Sequence, residues 1–342
     1  MSTAPLELVG AHGSPYSRKM RAVLRYRRIP FRWILRGSAQ DVGIPEVAVA
    51  LIPVLVFPGA GGARDQAMID STPQIRRLED LYAERRVIHP DPAVAFIDSL
   101  IEDYADEWLT KAMFHYRWAY PPDARKASLV LPLERDVTAH GEGIARLCQA
   151  FGERQVGRLA VVGSNEVTRS TIEESYRRLL RLLDAHLQVK PFLMGARPGA
   201  SDFGLFGQLS QLAFFDPTST AVAADEAPRV IAWLHQVEDL GNLEVSEADW
   251  TPCGELGESV RALLSEVGRV YAPFLLANAA ALARGEEQVR CEIDGRPWVQ
   301  RSFPYQAKCL RWLREGRSAL SIGDRAQVDR MLEGTGCEAL FS

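Results

Sequence analysis

Residues 6–35 constrain this chain more than any other stretch. Leu6 to Gly10 is a short apolar run. Gly13-Ser14-Pro15 then reads as a helix start. A serine hydroxyl can cap free backbone N–H groups there, and a proline at the first helical position forfeits no hydrogen bond. Met20, Val23 and Leu24 follow at helical spacing and Ile29-Pro30 closes the segment. Phe31, Trp33 and Leu35 alternate with Arg32, Ile34 and Arg36 as a second strand. A strand joined to a strand through a helix implies a parallel pair.

The next elements extend this start. Ile52-Pro53-Val54-Leu55-Val56-Phe57 reads as a buried strand, residues 58–62 as a turn and residues 66–69 as a short returning strand. Ser71-Thr72-Pro73-Gln74 has the pattern of a capping box, with Ser71 as cap and Gln74 three residues on. Ile75, Leu78 and Tyr82 continue that helix, and His89-Pro90-Asp91-Pro92 reads as a linker. Beyond it the periodicity is helical. Ile97, Leu100, Ile101, Tyr104, Ala105, Trp108 and Ala112 form one stripe, and Ile172, Tyr176, Leu179, Leu180, Leu183 and Leu187 another. Residues 202–212 are apolar nearly all round, as expected of a helix at a bundle's centre. Val230, Ile231, Trp233, Leu234 and Val237 make a third amphipathic segment. After a composition break at 241–257, residues 288–293 and 297–300 flank Asp294-Gly295, a hairpin turn signal. Short helices are expected near 303–315 and 324–333.

A length of 342 residues suggests two domains plus an extension. Hydrophobic residues at 47% and charged residues at 25% are ordinary for a soluble globular chain. The net charge of −4 argues against nucleic acid or an anionic membrane as main partner, since both demand a basic surface. No apolar run approaches the roughly 20 residues that span a bilayer. The opening residues lack the basic-then-apolar pattern of a signal peptide, so a cytoplasmic location is expected. The five cysteines, Cys148, Cys253, Cys291, Cys309 and Cys337, are scattered and never spaced C-x-x-C. That disfavours a disulfide framework or a zinc site, and no metal is expected. None lies in the first 147 residues.

The chemistry concentrates in Ser14-Pro15-Tyr16-Ser17. It sits at a strand-to-helix junction, where free N–H groups and the helix dipole favour an anion. A hydroxyl there can donate to a bound thiolate and lower the pKa of its thiol. The tetrapeptide resembles the C-P-Y-C of glutaredoxins, with serine in both cysteine positions. It also resembles the S-P-F segment of serine-type glutathione transferases, whose active serine precedes the proline. Ile52-Pro53 matches the V-P motif of the glutathione transferase superfamily, and Asp70-Ser71 matches its acidic-then-serine pair. Phe192-Leu193-Met194-Gly195, followed by Asp202, resembles the family's F-L-x-G and S/T-x-x-D, with Gly199 in the cap position.

The resemblance covers roughly the first 240 residues. It implies an α/β thioredoxin-like, glutathione-binding domain at 1–86 and an all-α substrate domain at 93–240. Residues 250–342 are left as a C-terminal extension of helices with a hairpin near 288–300. It implies Ser14 as the catalytic hydroxyl, with Ser17 second and Tyr16 third. It further implies a cis bond at Ile52-Pro53, the Ile52 backbone pairing with the cysteinyl part of glutathione, and Asp70 and Ser71 holding the γ-glutamyl amino group and carboxylate. Asp202 becomes a fold marker. Glutathione as co-substrate, a small hydrophobic electrophile, a role in detoxification and a homodimer also follow from it. The family often carries Lys or Arg just before V-P to meet the glycyl carboxylate; here Ala50-Leu51 stand there.

For the electrophile, His115-Tyr116-Arg117-Trp118 and Tyr120 form a candidate wall, with His115 alternatively a general base. Arg18, Lys19, Arg21, Arg25, Arg27, Arg28 and Arg32 read as a solvated helix face or a subunit contact. Three functional readings are open: conjugation of the glutathione thiolate, a non-catalytic scaffold whose extension binds a partner, and a glutathione-dependent thiol reductase. Serines in both cysteine positions disfavour the last.

Overall fold

The computed structural model describes residues 4–342, so the first three residues of the expected 1–86 domain lie outside the described part. Strands β1 (Leu6–Gly10), β2 (Phe31–Leu35), β3 (Val54–Pro58) and β4 (Arg64–Ile69) form a sheet in the order β2-β1-β3-β4. β1 runs parallel to β2, as the crossover demands, and antiparallel to β3, which pairs antiparallel with β4. Helix α1 (Pro15–Tyr26) is the crossover and α2 (Ser71–Leu81) follows β4. Val9 lies opposite Val54, and Val54 opposite Ile69. The chain therefore leaves β1, enters β3 and leaves β4 at one end of the sheet. Ser14, Pro53 and Asp70 are gathered there.

The helical part begins with α3 (Pro92–Tyr104), which continues through one π turn (Ala105–Leu109) into α4 (Thr110–Ala119). The long tract after it folds as α5 (Pro121–Leu133), α6 (Gly141–Val156) and the short α7 (Leu159–Val162), with α5 and α6 paired. Then come α8 (Arg169–His186), α9 (Ala200–Phe214), α10 (Pro217–Glu226) and α11 (Pro228–Val237). Helix α9 is buried on almost every side. Two carboxylates fix its start. Asp202 accepts from the Gly199 and Leu193 N–H groups at 2.9 and 3.1 Å, and Asp98 of α3 accepts from the Ala200 and Ser201 N–H groups. Gly207 lets α9 pass directly beneath α1, because a Cβ there would stand 2.6 Å from the Pro15 carbonyl oxygen.

Residues beyond 250 form α12 (Gly257–Glu266), a second π turn (Val267–Tyr271), α13 (Ala272–Ala283), the hairpin β5 (Gln288–Ile293) and β6 (Arg296–Arg301), α14 (Pro304–Ala319) and α15 (Ile322–Leu332). They do not make a core of their own. Leu263, Phe274, Trp298 and Leu313 belong to the same buried cluster as Leu24 of α1 and Leu100 of α3. Lys111 of α4 pins the hairpin. Its ammonium lies 4.2 Å from the centre of the Phe274 ring and donates to Gln300 Oε1 and to the Val162 carbonyl.

The basic run is largely paired with acids of the same chain, although the Arg28 and Arg32 side chains stay 46% and 68% exposed. Arg18 and Arg25 pair with Glu238, Arg28 with Glu244, and Arg27, buried, with Glu79. Lys19, fully buried, donates to Glu102 at 2.7 Å and Asp106 at 2.5 Å. The run stitches the α/β unit to the helices within one chain.

Arg117 makes a second buried stitch. It donates to both oxygens of Asp216 at 2.9 and 3.1 Å, to Gln211 Oε1 and to the Gly13 carbonyl, and Asp216 is fully buried. Arg117→Met leaves that carboxylate without a counter-charge, and we expect a loss of about 3–5 kcal/mol in denaturant unfolding. Adding Asp216→Asn should restore part of it; an unchanged midpoint would refute the role. A pH effect follows from the seam under α14. Burial pushes the Asp103 carboxyl up to about 7, against the Tyr271 hydrogen bond. Burial, with Asp103 and Asp106 nearby, pushes Glu107 up to about 8. Both folded-state values lie above the unfolded ones of roughly 4, so between these limits the native state holds protons that the unfolded chain has released. These groups therefore make stability fall as pH rises from about 5 to about 7. Burial also pushes Lys111 down to about 7, which opposes the trend only above that pH. Melting temperatures should decline across this window, and Glu107→Gln should flatten the decline.

Candidate functional site

Ser14 is the N-cap of α1. Its backbone is extended, and its Oγ accepts the Ser17 N–H at 3.3 Å. The acceptor role leaves the hydroxyl hydrogen free to donate outward. Ser17 is fully buried and its Oγ accepts the Ala11 N–H at 3.3 Å, so its role is to fix the loop after β1. Tyr16 turns toward the helices, donating to the Asp106 carbonyl at 2.8 Å, and burial pushes its phenol well up. Ser17 also only accepts, but it is fully buried while Ser14 is partly exposed, so of the three hydroxyls Ser14 is the one placed to offer its proton to a ligand.

The Ile52-Pro53 bond is cis. Gln74 Nε2 donates to the Pro53 carbonyl at 3.0 Å and to the Met68 carbonyl at 2.7 Å, tying the entry of β3 to the exit of β4. The expected capping box is therefore corrected. Asp70 holds the N-cap position, Ser71 is the first helical residue, and Gln74 is drawn to these carbonyls. Asp70 has φ +74°, a strained backbone for a non-glycine residue, and its carboxylate makes no cap bond to α2. It points instead to the C-terminal region, where Tyr305 donates to its Oδ2 at 2.6 Å. Ser71 is buried at the free N–H groups of the helix start. Beside it a cleft of about 110 Å³ opens between α2 and α3, lined by Thr72, Arg76, Asp98 and Glu102 among others.

The candidate electrophile wall lies elsewhere. His115 is buried, with Nδ1 2.8 Å from Ser164 Oγ and Nε2 3.0 Å from Glu173 Oε1. Tyr120 donates to the same Glu173 oxygen at 2.7 Å and stacks on Tyr116, which packs against Tyr176 of α8. Burial would raise the Glu173 carboxyl, but the His115 and Tyr120 hydrogen bonds hold it below its ordinary value. Trp118 packs between Phe114 and Phe151. These side chains fill the space between α4, α8 and the α5–α7 tract, and both His115 ring nitrogens are engaged within it, by Ser164 and Glu173. The residue of this segment that reaches the start of α1 is Arg117, through the Gly13 carbonyl. Leu131 of α5 covers Gly13 from the other side, where a Cβ would meet its Cδ2 at 2.4 Å.

Sequence reasoning missed Tyr305 and Leu131. Tyr305 stands 235 positions from Asp70, so no spacing rule links them. Leu131 sits in a tract without a recognisable motif.

Two family models match the chain. The model described as the glutathione S-transferase N-terminal domain matches residues 8–86, and that of the C-terminal domain matches residues 149–236. No curated protein matches the chain. Among solved structures, the chain is similar to a glutathione S-transferase of Methylobacterium radiotolerans in complex with glutathione sulfonate. That match has 19% identity and a TM-score of 0.40, covering 73% of this chain and 95% of the other. It is also similar to the Tau class enzyme of mango, at 19% identity and a TM-score of 0.39, covering 71% and 94%. A family member from Pseudomonas fluorescens with two glutathione bound gives 19% identity and a TM-score of 0.38, covering 68% and 87%. The chain belongs to the glutathione S-transferase superfamily.

Proposed function

We propose that this protein binds glutathione at the sheet end described above and conjugates its thiolate to a small apolar electrophile. The observation that carries the reading is the Ser14 hydroxyl. It stands at the positive end of α1 with its lone pair used by the Ser17 N–H and its hydrogen available. A donor so placed stabilises a sulfur anion more than a thiol, which raises the nucleophilic fraction at neutral pH. The Ile52 backbone at the cis bond suits the cysteinyl part, and the start of α2 with Asp70 suits an amino-acid end. A homodimer in the cytoplasm accords with the family.

The second reading, a non-catalytic binding protein, draws support from Tyr305, which already engages Asp70. The reductase reading is weaker still. No cysteine stands at the start of α1, and burial pushes the Cys309 thiol, the one set among Asp103 and Tyr271, far up.

Retention on immobilised glutathione and a thiol-conjugation assay decide between the first two. A conjugating enzyme is retained, and Ser14→Ala lowers kcat/KM by roughly ten- to a hundredfold, the worth of one hydrogen bond to a charged group. Ser17→Ala should instead lower the melting temperature. Retention with an unchanged rate in Ser14→Ala would remove the proposed role of that hydroxyl.

A further inference from the structure

The C-terminal residues reach into the ligand corner at one point. Helix α14 starts after Phe303, whose N–H and carbonyl are both held by the Asn278 carboxamide, at 2.8 and 3.0 Å. Its first turn then presents Tyr305 to Asp70 and Gln306 to Glu107, the latter through Nε2 bonds to the carbonyl and to Oε2. Tyr305 is half-buried, with Lys308 above its ring and Trp312 edge-on to it. The turn is anchored by Asn278 and Gln306, so the Tyr305 side chain can rotate away without unfolding α14.

The charge around Asp70 says what else belongs there. Asp106 stands close by, Glu107 lies near Tyr305, and the neighbouring cation, Lys19, is already shared between Glu102 and Asp106. The free N–H groups at the start of α2 favour a carboxylate, while Asp70 beside them favours an ammonium. The two together fit the zwitterionic α-amino-acid end of a ligand. Tyr305 occupies Oδ2 of the carboxylate that the ammonium would engage.

We propose that Tyr305 is an internal competitor for that ammonium, so that seating a ligand with a free α-amino group requires the tyrosine to release Asp70. The inference rests on the glutathione reading above and makes Tyr305 the residue that sets affinity at this end. In the apo protein the phenol satisfies a carboxylate held in a strained backbone. In the complex the ligand's ammonium replaces it, and binding is weakened by the bond that must be given up.

Calorimetric titration of the full chain tests this with two ligands, glutathione and its analogue lacking the α-amino group. Tyr305→Phe keeps the ring and removes the donor. It should bind glutathione about tenfold more tightly than the wild type, the order expected for one hydrogen bond to a carboxylate. The deaminated analogue should bind both proteins equally. Tyr305→Leu, with its fold checked by circular dichroism, should repeat the gain and guards against an effect peculiar to phenylalanine. Equal or weaker glutathione binding by both variants, with the wild type still binding, overturns the competitor role and leaves the glutathione reading standing. Absence of glutathione binding in the wild type and both variants overturns both.

Discussion

The placement of the site rests on Lys19. Its ammonium is withdrawn completely from water and shared between Glu102 and Asp106, two acids on the segment where α3 passes into the π turn. A charge so deeply buried is tolerable only with partners at hydrogen-bonding distance, so the pairing fixes α1 against α3 within narrow limits. Ser14 and Tyr16 lie on the same helix, within five residues of Lys19, and inherit that position. Glu102 and Asp106 stand four positions apart, so one face of the segment presents both acids to α1. Gly207 completes the contact from below by letting α9 approach the Pro15 backbone.

Much of this was legible in the sequence where the information is local. The strand–helix–strand start, the cap at Ser14 and the Asp294-Gly295 turn depend on neighbours a few positions apart, and each appears where the pattern put it. The long stripe from Ile97 to Ala112 became one continuous helix for the same reason. What the pattern could not show is which distant group a side chain chooses. Ser71 and Gln74 satisfy the spacing of a capping box, yet Gln74 meets two carbonyls brought beside it by the fold, that of Pro53 just before β3 and that of Met68 in β4. Arg18 of α1 and Arg27 at its C-cap look solvated in the sequence until Glu238 and Glu79 are brought against them. His115 to Tyr120 read as the wall of a pocket because aromatic residues serve cores and pockets alike; only the packing of α8 against α4 distinguishes the two.

The two tracts that lengthen the chain meet the ligand corner at opposite ends. Leu131 of α5 lies on Gly13, just before the candidate hydroxyl donor Ser14, and Tyr305 of α14 lies on Asp70. Neither tract builds an independent unit: the hairpin is clamped through Lys111, and α12 packs on α8. The added residues thus act on the corner by contact.

The distribution of sulfur points the same way. Every cysteine lies beyond the α/β unit, and the thiols of Cys253, Cys291, Cys309 and Cys337 are all pushed up by burial, Cys291 to about 11 and Cys337 to about 12. A thiol with its pKa so raised is a poor nucleophile at neutral pH, because the thiolate is the reactive form. The place where the fold would favour an anion, the start of α1, carries hydroxyls instead. A helix terminus with a donor hydroxyl and no sulfur of its own is suited to activate a thiol brought by a ligand. On the proposed reading, the chemistry would reside in the fit between that ligand's two ends, a thiolate at Ser14 and an ammonium at Asp70, and the sheet end that spaces them.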